Sequence, residues 1–296
     1  MYYMASKKST ARIYAFLSIF LWSTSFVSTN IIISTDALNL REVHTLKFLL
    51  ASIILLFLVF ILKMQIPSFM DLVKFSLCGM FGYTAYIYFL HKGIETLPAH
   101  NIYFTNALCP IMTIFLSYSL FRTRTTGLAK LGLFISMVGV IALYVNMNKF
   151  KINTGILYMF VATVFFSFYS ILQKLVVKKY RPIEAMAYSL ITGSIFIILM
   201  NYDTILVIKD LSYKSYFHLL YLAIFPGILG FYFWSKGIEV CHNTVDVAYW
   251  MFLLPVAAVI YSILFLNTPL NIYICIGLFL ILLGMIIFSI YRRYNY

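Results

Sequence analysis

The chain has 296 residues, 63% of them hydrophobic and 10% charged, with a mean hydropathy of +0.94. A soluble globule carries roughly a quarter of its residues as charges. This composition therefore excludes an ordinary water-exposed domain and makes lipid the solvent. Twenty-two Lys and Arg against nine Asp and Glu give a formal charge of +13. The basic residues stand singly or in small groups between apolar runs, which fits cationic loops beside a membrane rather than a nucleic-acid surface.

Residues 1–12 are polar and basic, and the apolar run that follows reaches about residue 33. That is too long for a signal-peptide core, and no small-x-small cleavage site follows, so it reads as a retained first span. Further apolar runs cover 44–62, 72–91, 98–121, 128–146, 154–174, 184–201, 215–235, 244–266 and 270–291. A membrane helix needs about 20 apolar residues. The runs are continuous rather than alternating, which points to helices and away from barrel strands. The expected fold is an all-α integral membrane protein with ten transmembrane helices. With the amino terminus in the cytoplasm, fifteen Lys and Arg fall inside and seven outside, the bias expected when both termini are cytoplasmic in a multi-pass cell-membrane protein.

Ten spans take up roughly 200 residues, which leaves no stretch for a soluble catalytic domain. There is no His-Glu-x-x-His, no intramembrane Ser-His or Asp-Asp arrangement, and no G-x-x-x-x-G-K-[ST] loop. A membrane enzyme acting on lipid is thus disfavoured, and no cofactor or metal is expected. Cys78, Cys109, Cys241 and Cys275 are far apart and form no CxxC pair, so they read as packing residues.

Internal repetition carries the most information. Lys92-Gly93-Ile94-Glu95 recurs as Lys236-Gly237-Ile238-Glu239, an offset of 236 − 92 = 144. The same offset maps Phe81, Tyr88 and Phe89 onto Phe225, Tyr232 and Phe233, and Tyr14, Phe16 and Ser23 onto Tyr158, Phe160 and Ser167. One extra residue maps Pro110 onto Pro255, Gly132 onto Gly277 and Gly139 onto Gly284. Two repeats follow, 10–146 and 153–291. Five spans per repeat is an odd number, so the second repeat enters the membrane from the opposite side. Such a 5+5 inverted repeat is how many secondary transporters build two opposite-facing states around a midplane site.

The stretch Leu21-Trp22-Ser23-Thr24-Ser25-Phe26, the Lys47-Phe48 pair, the prolines 110 and 255 and the paired Gly-x6-Gly of the fifth and tenth spans together resemble the drug/metabolite transporter superfamily, specifically proteins with two EamA domains. Ser23 stands where that family usually has glycine. Phe121-Arg122-Thr123 and Leu266-Asn267-Thr268 stand where many relatives have Gly-Glu, so a mechanism built on those acids is not expected here. The resemblance implies a ten-helix carrier in the plasma membrane that exports amino acids or other small metabolites.

Candidate substrate-lining residues come from polar and aromatic side chains on shared helical faces. Ser18, Trp22, Ser25 and Thr29 are spaced by four, three and four. The 144 offset carries that face onto Ala162, Phe166, Tyr169 and Gln173. Tyr103, Asn106 and Pro110 share a face, with Asn101 nearby, and Tyr83 and Tyr86 add hydroxyls. Pro110 and Pro255 are expected to break their helices and free carbonyls for a cavity or gate. Each Ser, Thr or Asn also has a bland reading as interhelical glue. Lys47 is the one basic residue plainly inside a predicted span. It either snorkels to the surface or meets a substrate carboxylate or phosphate. No Asp or Glu lies deep in an apolar run, so no proton relay of the usual kind is visible. His100 and His242 sit at span mouths and read as solvated.

Gly132, Gly139, Gly277 and Gly284 read as close-packing positions, compatible with contact inside one chain or across a homodimer. The expected partners are a small-molecule substrate and the lipid bilayer, with no nucleic acid. An antiporter of phosphorylated or nucleotide sugars is the alternative carrier. It would need several basic residues at the cavity, and only Lys47 qualifies.

Overall fold

The computed structural model describes residues 2–96, 106–122, 125–148, 154–266 and 271–294. Among them there are helices and no strands. In chain order, α1 is Tyr2–Asp36, α2 Leu40–Ile61 and α3 Phe69–Gly79, which runs through a π-helical stretch, Met80–Ala85, into α4, Tyr86–Ile94. Then come α5 (Cys109–Phe121), α6 (Gly127–Asn148), α7 (Thr154–Val176) and α8 (Pro182–Met200). A 3-10 stretch, Tyr202–Asp210, which the apolar pattern does not foretell, leads to α9 (Tyr213–Leu222). A second π-helical stretch, Ala223–Leu229, joins α9 to α10 (Gly230–Val240). The remainder is α11 (Val245–Ala248), a 3-10 turn at Tyr249–Phe252, α12 (Leu253–Leu266) and α13 (Ile272–Tyr294).

Six of these segments are long and apolar enough to cross a membrane: Ser9–Asp36, Leu40–Ile61, Thr154–Val176, Pro182–Met200, Tyr213–Val240 and Ile272–Ile290. Shorter apolar helices cover Cys109–Phe121, Gly127–Leu143 and Val245–Tyr261. Large apolar side chains such as Phe57, Phe60, Leu199, Phe217 and Leu264 face outward. That arrangement suits hydrocarbon and would be unstable against water. The chain is a multi-pass membrane protein.

Local chemistry sets the helix ends. Asn39 caps α2 by accepting from the Glu42 N–H while the Glu42 carboxylate accepts from the Asn39 N–H, a reciprocal capping box. Arg122 closes α5 in the left-handed region at φ 54. Lys174 acts across elements: its ammonium donates to the Ile238 carbonyl at 2.7 Å and to the Cys241 carbonyl, capping the end of α10 from α7.

Helix pairing crosses the two halves of the chain. α1 packs on α10, α4 on α7, α2 on α8, and α6 on α13. The last contact is made possible by glycine. A Cβ on Gly132 would lie 2.6 Å from the Gly284 carbonyl oxygen, and one on Gly139 would lie 2.7 Å from that of Gly277. The two helices thus touch backbone to backbone, and Ser136 donates across to the Ile281 carbonyl at 3.2 Å. All four glycines are engaged within one chain.

The largest core gathers α1, α2, α4, α7, α8 and α10 around fully buried Phe48, Tyr83, Tyr169 and Trp234. A second core joins α6, α12 and α13, and a third lies where α1 and α2 meet α9.

Candidate functional site

A cavity of about 310 Å³ opens between α1, α2, α4, α7 and α10. From the sequence-predicted set, Trp22, Ser25, Thr29, Lys47, Tyr86, Asn106 and Phe166 line it. The cavity extends from Trp22 toward the α1–α2 turn, where Ile33 and Leu40 border it, and toward Ile94 at the end of α4.

Its inner wall is aromatic. The Trp22 ring lies 5.0 Å from Phe231, 5.2 Å from Trp234 and 5.7 Å from Phe166 between centroids. Its indole N–H donates to the Pro226 carbonyl at 3.1 Å. Pro226 sits in the second π-helical stretch. There the backbone ladder shifts register and a carbonyl becomes available to a side chain. The polar groups are few. Tyr86 donates its hydroxyl to Asn106 Oδ1 at 3.2 Å, which leaves the Asn106 amide N–H₂ to donate elsewhere. Ser25 donates back to the Trp22 carbonyl at 2.6 Å. The Lys47 ammonium lies 4.5 Å from the Phe48 ring centroid. Lys47 is 8% exposed, so it is buried beside the cavity rather than extended to the surface.

The other predicted residues lie deeper. Ser18 donates to the Gly230 carbonyl at 2.8 Å, and the Tyr83 and Tyr169 hydroxyls face each other at 3.1 Å. Gln173 donates to Ser189 Oγ at 3.3 Å, and Trp234 donates to Ser170 Oγ at 3.2 Å. These groups form a closed, hydrogen-bonded plug between the cavity and the far ends of α3, α7 and α10. Pro110 stands in the first turn of α5, where a missing N–H costs the helix nothing, and Pro255 is the third residue of α12, directly after the 3-10 turn Tyr249–Phe252. Each marks a helix restart after an irregular or 3-10 stretch. Asn101, Tyr103 and His100 lie outside the described residues.

Beyond the plug, polar links at Asp71 and Gln65 join the halves of the chain. Buried Asp71 accepts from Lys179, from Lys74 at 2.9 Å, and from Tyr180 and Ser68 at 2.8 Å each. The Lys179 ammonium, aided by Lys74, holds the Asp71 carboxyl well below the usual carboxylate range. Glu184 accepts from the Gln65 N–H at 2.9 Å, and Tyr188 donates to the Gln65 carbonyl at 3.1 Å.

Sequence reasoning missed His44, Pro226, Phe231 and Met251 in the lining. His44 was findable: Leu40, His44 and Lys47 follow i, i+4, i+7 on α2. Its Nδ1 pairs with His91 Nε2 at 2.8 Å. His91 borders a smaller cavity of about 120 Å³ with Arg41, Lys92 and Glu95. Among the described residues, no group of three or more His, Cys, Asp or Glu could hold a metal ion.

A multi-pass helical protein with an aromatic, sparsely polar chamber between cross-paired helices has the build of a solute carrier. The model of the EamA-like transporter family matches twice, at residues 9–145 and 153–290. The chain belongs to that family. It is 27% identical to an uncharacterized transporter of Archaeoglobus fulgidus over 92% of this chain and 95% of that protein. Another uncharacterized transporter, from Clostridium kluyveri, is 23% identical and covers 93% and 91% of the two chains. A solved crystal structure shares the fold, with a TM-score of 0.77 over 97% of this chain and 99% of its own at 19% identity.

Proposed function

We propose that the protein is a secondary carrier that moves small organic metabolites across the cell membrane by alternating access. The observation that carries this reading is the cavity closed on one side by a plug in which Ser18 meets Gly230 and Tyr83 meets Tyr169 across the two halves of the chain. Such contacts can part when the halves rock, whereas a fixed pore needs no such closure.

The arrangement of helices supports a 5+5 inverted repeat of ten spans. Under the 144 offset, the α1–α10 contact and the α4–α7 contact are images of each other. The α2–α8 and α6–α13 contacts are images of themselves. The π-helical stretch Met80–Ala85 maps onto 224–229, inside the second one, Ala223–Leu229. A pseudo-twofold axis in the membrane plane gives this pattern. With both termini cytoplasmic, the cavity faces outward, and the plug with the Asp71 and Gln65 links closes the inner side.

Purified protein in liposomes tests the reading by counterflow. Saturable exchange of labelled solute is expected within a panel of amino acids, organic acids, amines and purines. No counterflow of any panel member by folded protein contradicts it.

A further inference from the structure

Charge bookkeeping over the whole chain narrows the cargo of this cavity. The sequence has nine Asp and Glu, and all nine lie in the described residues. Asp36 accepts from Ser212 at the end of α1, Glu42 caps α2, and Asp71 is held by Lys74 and Lys179. Glu95 pairs with Lys92, Glu184 with Arg181 and Glu239 with Lys236. Asp246 accepts from the Asn243 N–H, and Asp203 and Asp210 are exposed in the 3-10 stretch. None lines the main cavity.

Lys47 is the counterpart of that absence. It is buried in α2 beside the cavity and touches the Phe48 ring. Among the described residues no carboxylate or hydrogen-bond acceptor meets its ammonium. A desolvated cation needs a counter-ion, and no Asp or Glu of the chain lines the cavity to supply one. Asn106, which also lines the chamber, has its carbonyl occupied by Tyr86 and keeps its amide N–H₂ to donate. His44 stands one turn from Lys47, and Arg41, Lys92 and the Lys92-bound Glu95 border the adjoining smaller cavity. Apart from the neutral polar groups of Ser25, Thr29, Asn30 and Tyr86, the remaining described wall is apolar and aromatic, and about 310 Å³ suits one small organic ligand.

Resting on the carrier reading above, we infer that the cargo is an organic monoanion with an apolar body, bound through its carboxylate to Lys47 and Asn106 and taken in preference to a zwitterion or a cation. An α-ammonium group would enter beside Lys47 and, among the described lining residues, meet neutral oxygens such as those of Ser25, Thr29 and Asn30 and aromatic faces, but no carboxylate to offset the repulsion. A des-amino acid of the same shape avoids that repulsion and keeps both the carboxylate contact and the aromatic packing.

The test compares ligands that share a body and differ in charge. The full-length protein in detergent is titrated with 3-phenylpropionate, phenylalanine and phenethylamine, then with 4-methylpentanoate, leucine and 3-methylbutylamine. Tryptophan fluorescence gives the readout, since Trp22 lies in the wall. Both anions are expected to bind saturably and at least about tenfold more tightly than the amino acid or amine of the same body. Lys47→Met should lose about tenfold or more of anion affinity, and Lys47→Arg should keep most of it. The inference is overturned if an amino acid or amine binds as tightly as its anion, if neither anion saturates, or if Lys47→Met binds the anions unchanged. The wild-type order alone decides should Lys47→Met not fold. Flux of the same compounds in liposomes separates the two proposals. Anion-selective binding without flux of any compound contradicts the carrier reading and leaves the ligand class standing. Preferred flux of amines or amino acids contradicts the ligand class and leaves the carrier standing.

Discussion

Replacing Tyr169 with Phe removes one of two hydroxyls that face each other at 3.1 Å inside the plug. Both rings are fully buried, so neither hydroxyl can turn to water. Their surroundings differ. Gln173 Oε1 and Ser235 Oγ are buried without partners and lie beside the Tyr169 hydroxyl. Tyr83 has only Tyr169 for a partner among the described residues. Tyr169→Phe therefore orphans the Tyr83 hydroxyl, and a buried polar group left unpaired costs about 1–3 kcal/mol. Tyr83→Phe leaves Tyr169 free to donate to Gln173 or Ser235, and the loss should be about 1 kcal/mol or less. In the double variant the orphan is gone, so part of the Tyr169→Phe loss should return. Thermal unfolding of the four proteins in one detergent reads this as unequal singles and a non-additive double. Equal losses for the two singles, or losses that simply add, would refute the reasoning.

Three further outcomes follow from other contacts. A side chain at position 139 must push apart two backbones, because its Cβ would lie 2.7 Å from the Gly277 oxygen and 2.8 Å from the Ile281 nitrogen. Gly139→Leu should lose about 3 kcal/mol or more, while Gly127→Ala, which meets nothing within 4 Å, should be neutral in the same heat scan. Lys174→Met removes charge-assisted bonds to the Ile238 and Cys241 carbonyls. It should cost about 1.5–3 kcal/mol and speed amide exchange in the turn after α10; unchanged exchange there would count against the cap. The Asp71 carboxyl is held below its ordinary value chiefly by Lys179, so its contribution is complete above the unfolded value of about 4 and is lost as pH falls through the lower folded one. The stability gap between wild type and Asp71→Asn should stay level from pH 7 to 5 and close only below about 4; a gap already gone at pH 5 would contradict the Lys179 link.

Helical spacing was enough to put Trp22, Ser25 and Thr29 on one face, and the structure brings all three to one cavity. Spacing does not report depth. Ser18, Tyr83, Tyr169 and Gln173 carry the same polar signal, yet lie deeper, where the halves of the chain close on each other. His44 was readable from its register with Lys47, but only Lys47 was weighed on that face. Pro226 was not readable. Its carbonyl meets Trp22 through a π-helical winding that no residue pattern announces. The glycines of α6 and α13 announced a close contact, but only three-dimensional pairing shows that they meet each other. The six long apolar helices were legible because lipid demands length and apolarity, while the 3-10 stretch Tyr202–Asp210 lies outside that demand.

Alternating access is tested most directly by locking the plugged side shut. Gln65 and Tyr188 lie across the two halves, joined at 3.1 Å, and three of the four native cysteines are buried. With exposed Cys275 changed to Ser, Gln65→Cys and Tyr188→Cys would be bridged by a short, cleavable bifunctional thiol reagent in liposomes. Solute flux should stop when the bridge forms and return when it is cut. Flux that continues at full rate through completely bridged protein would contradict the account.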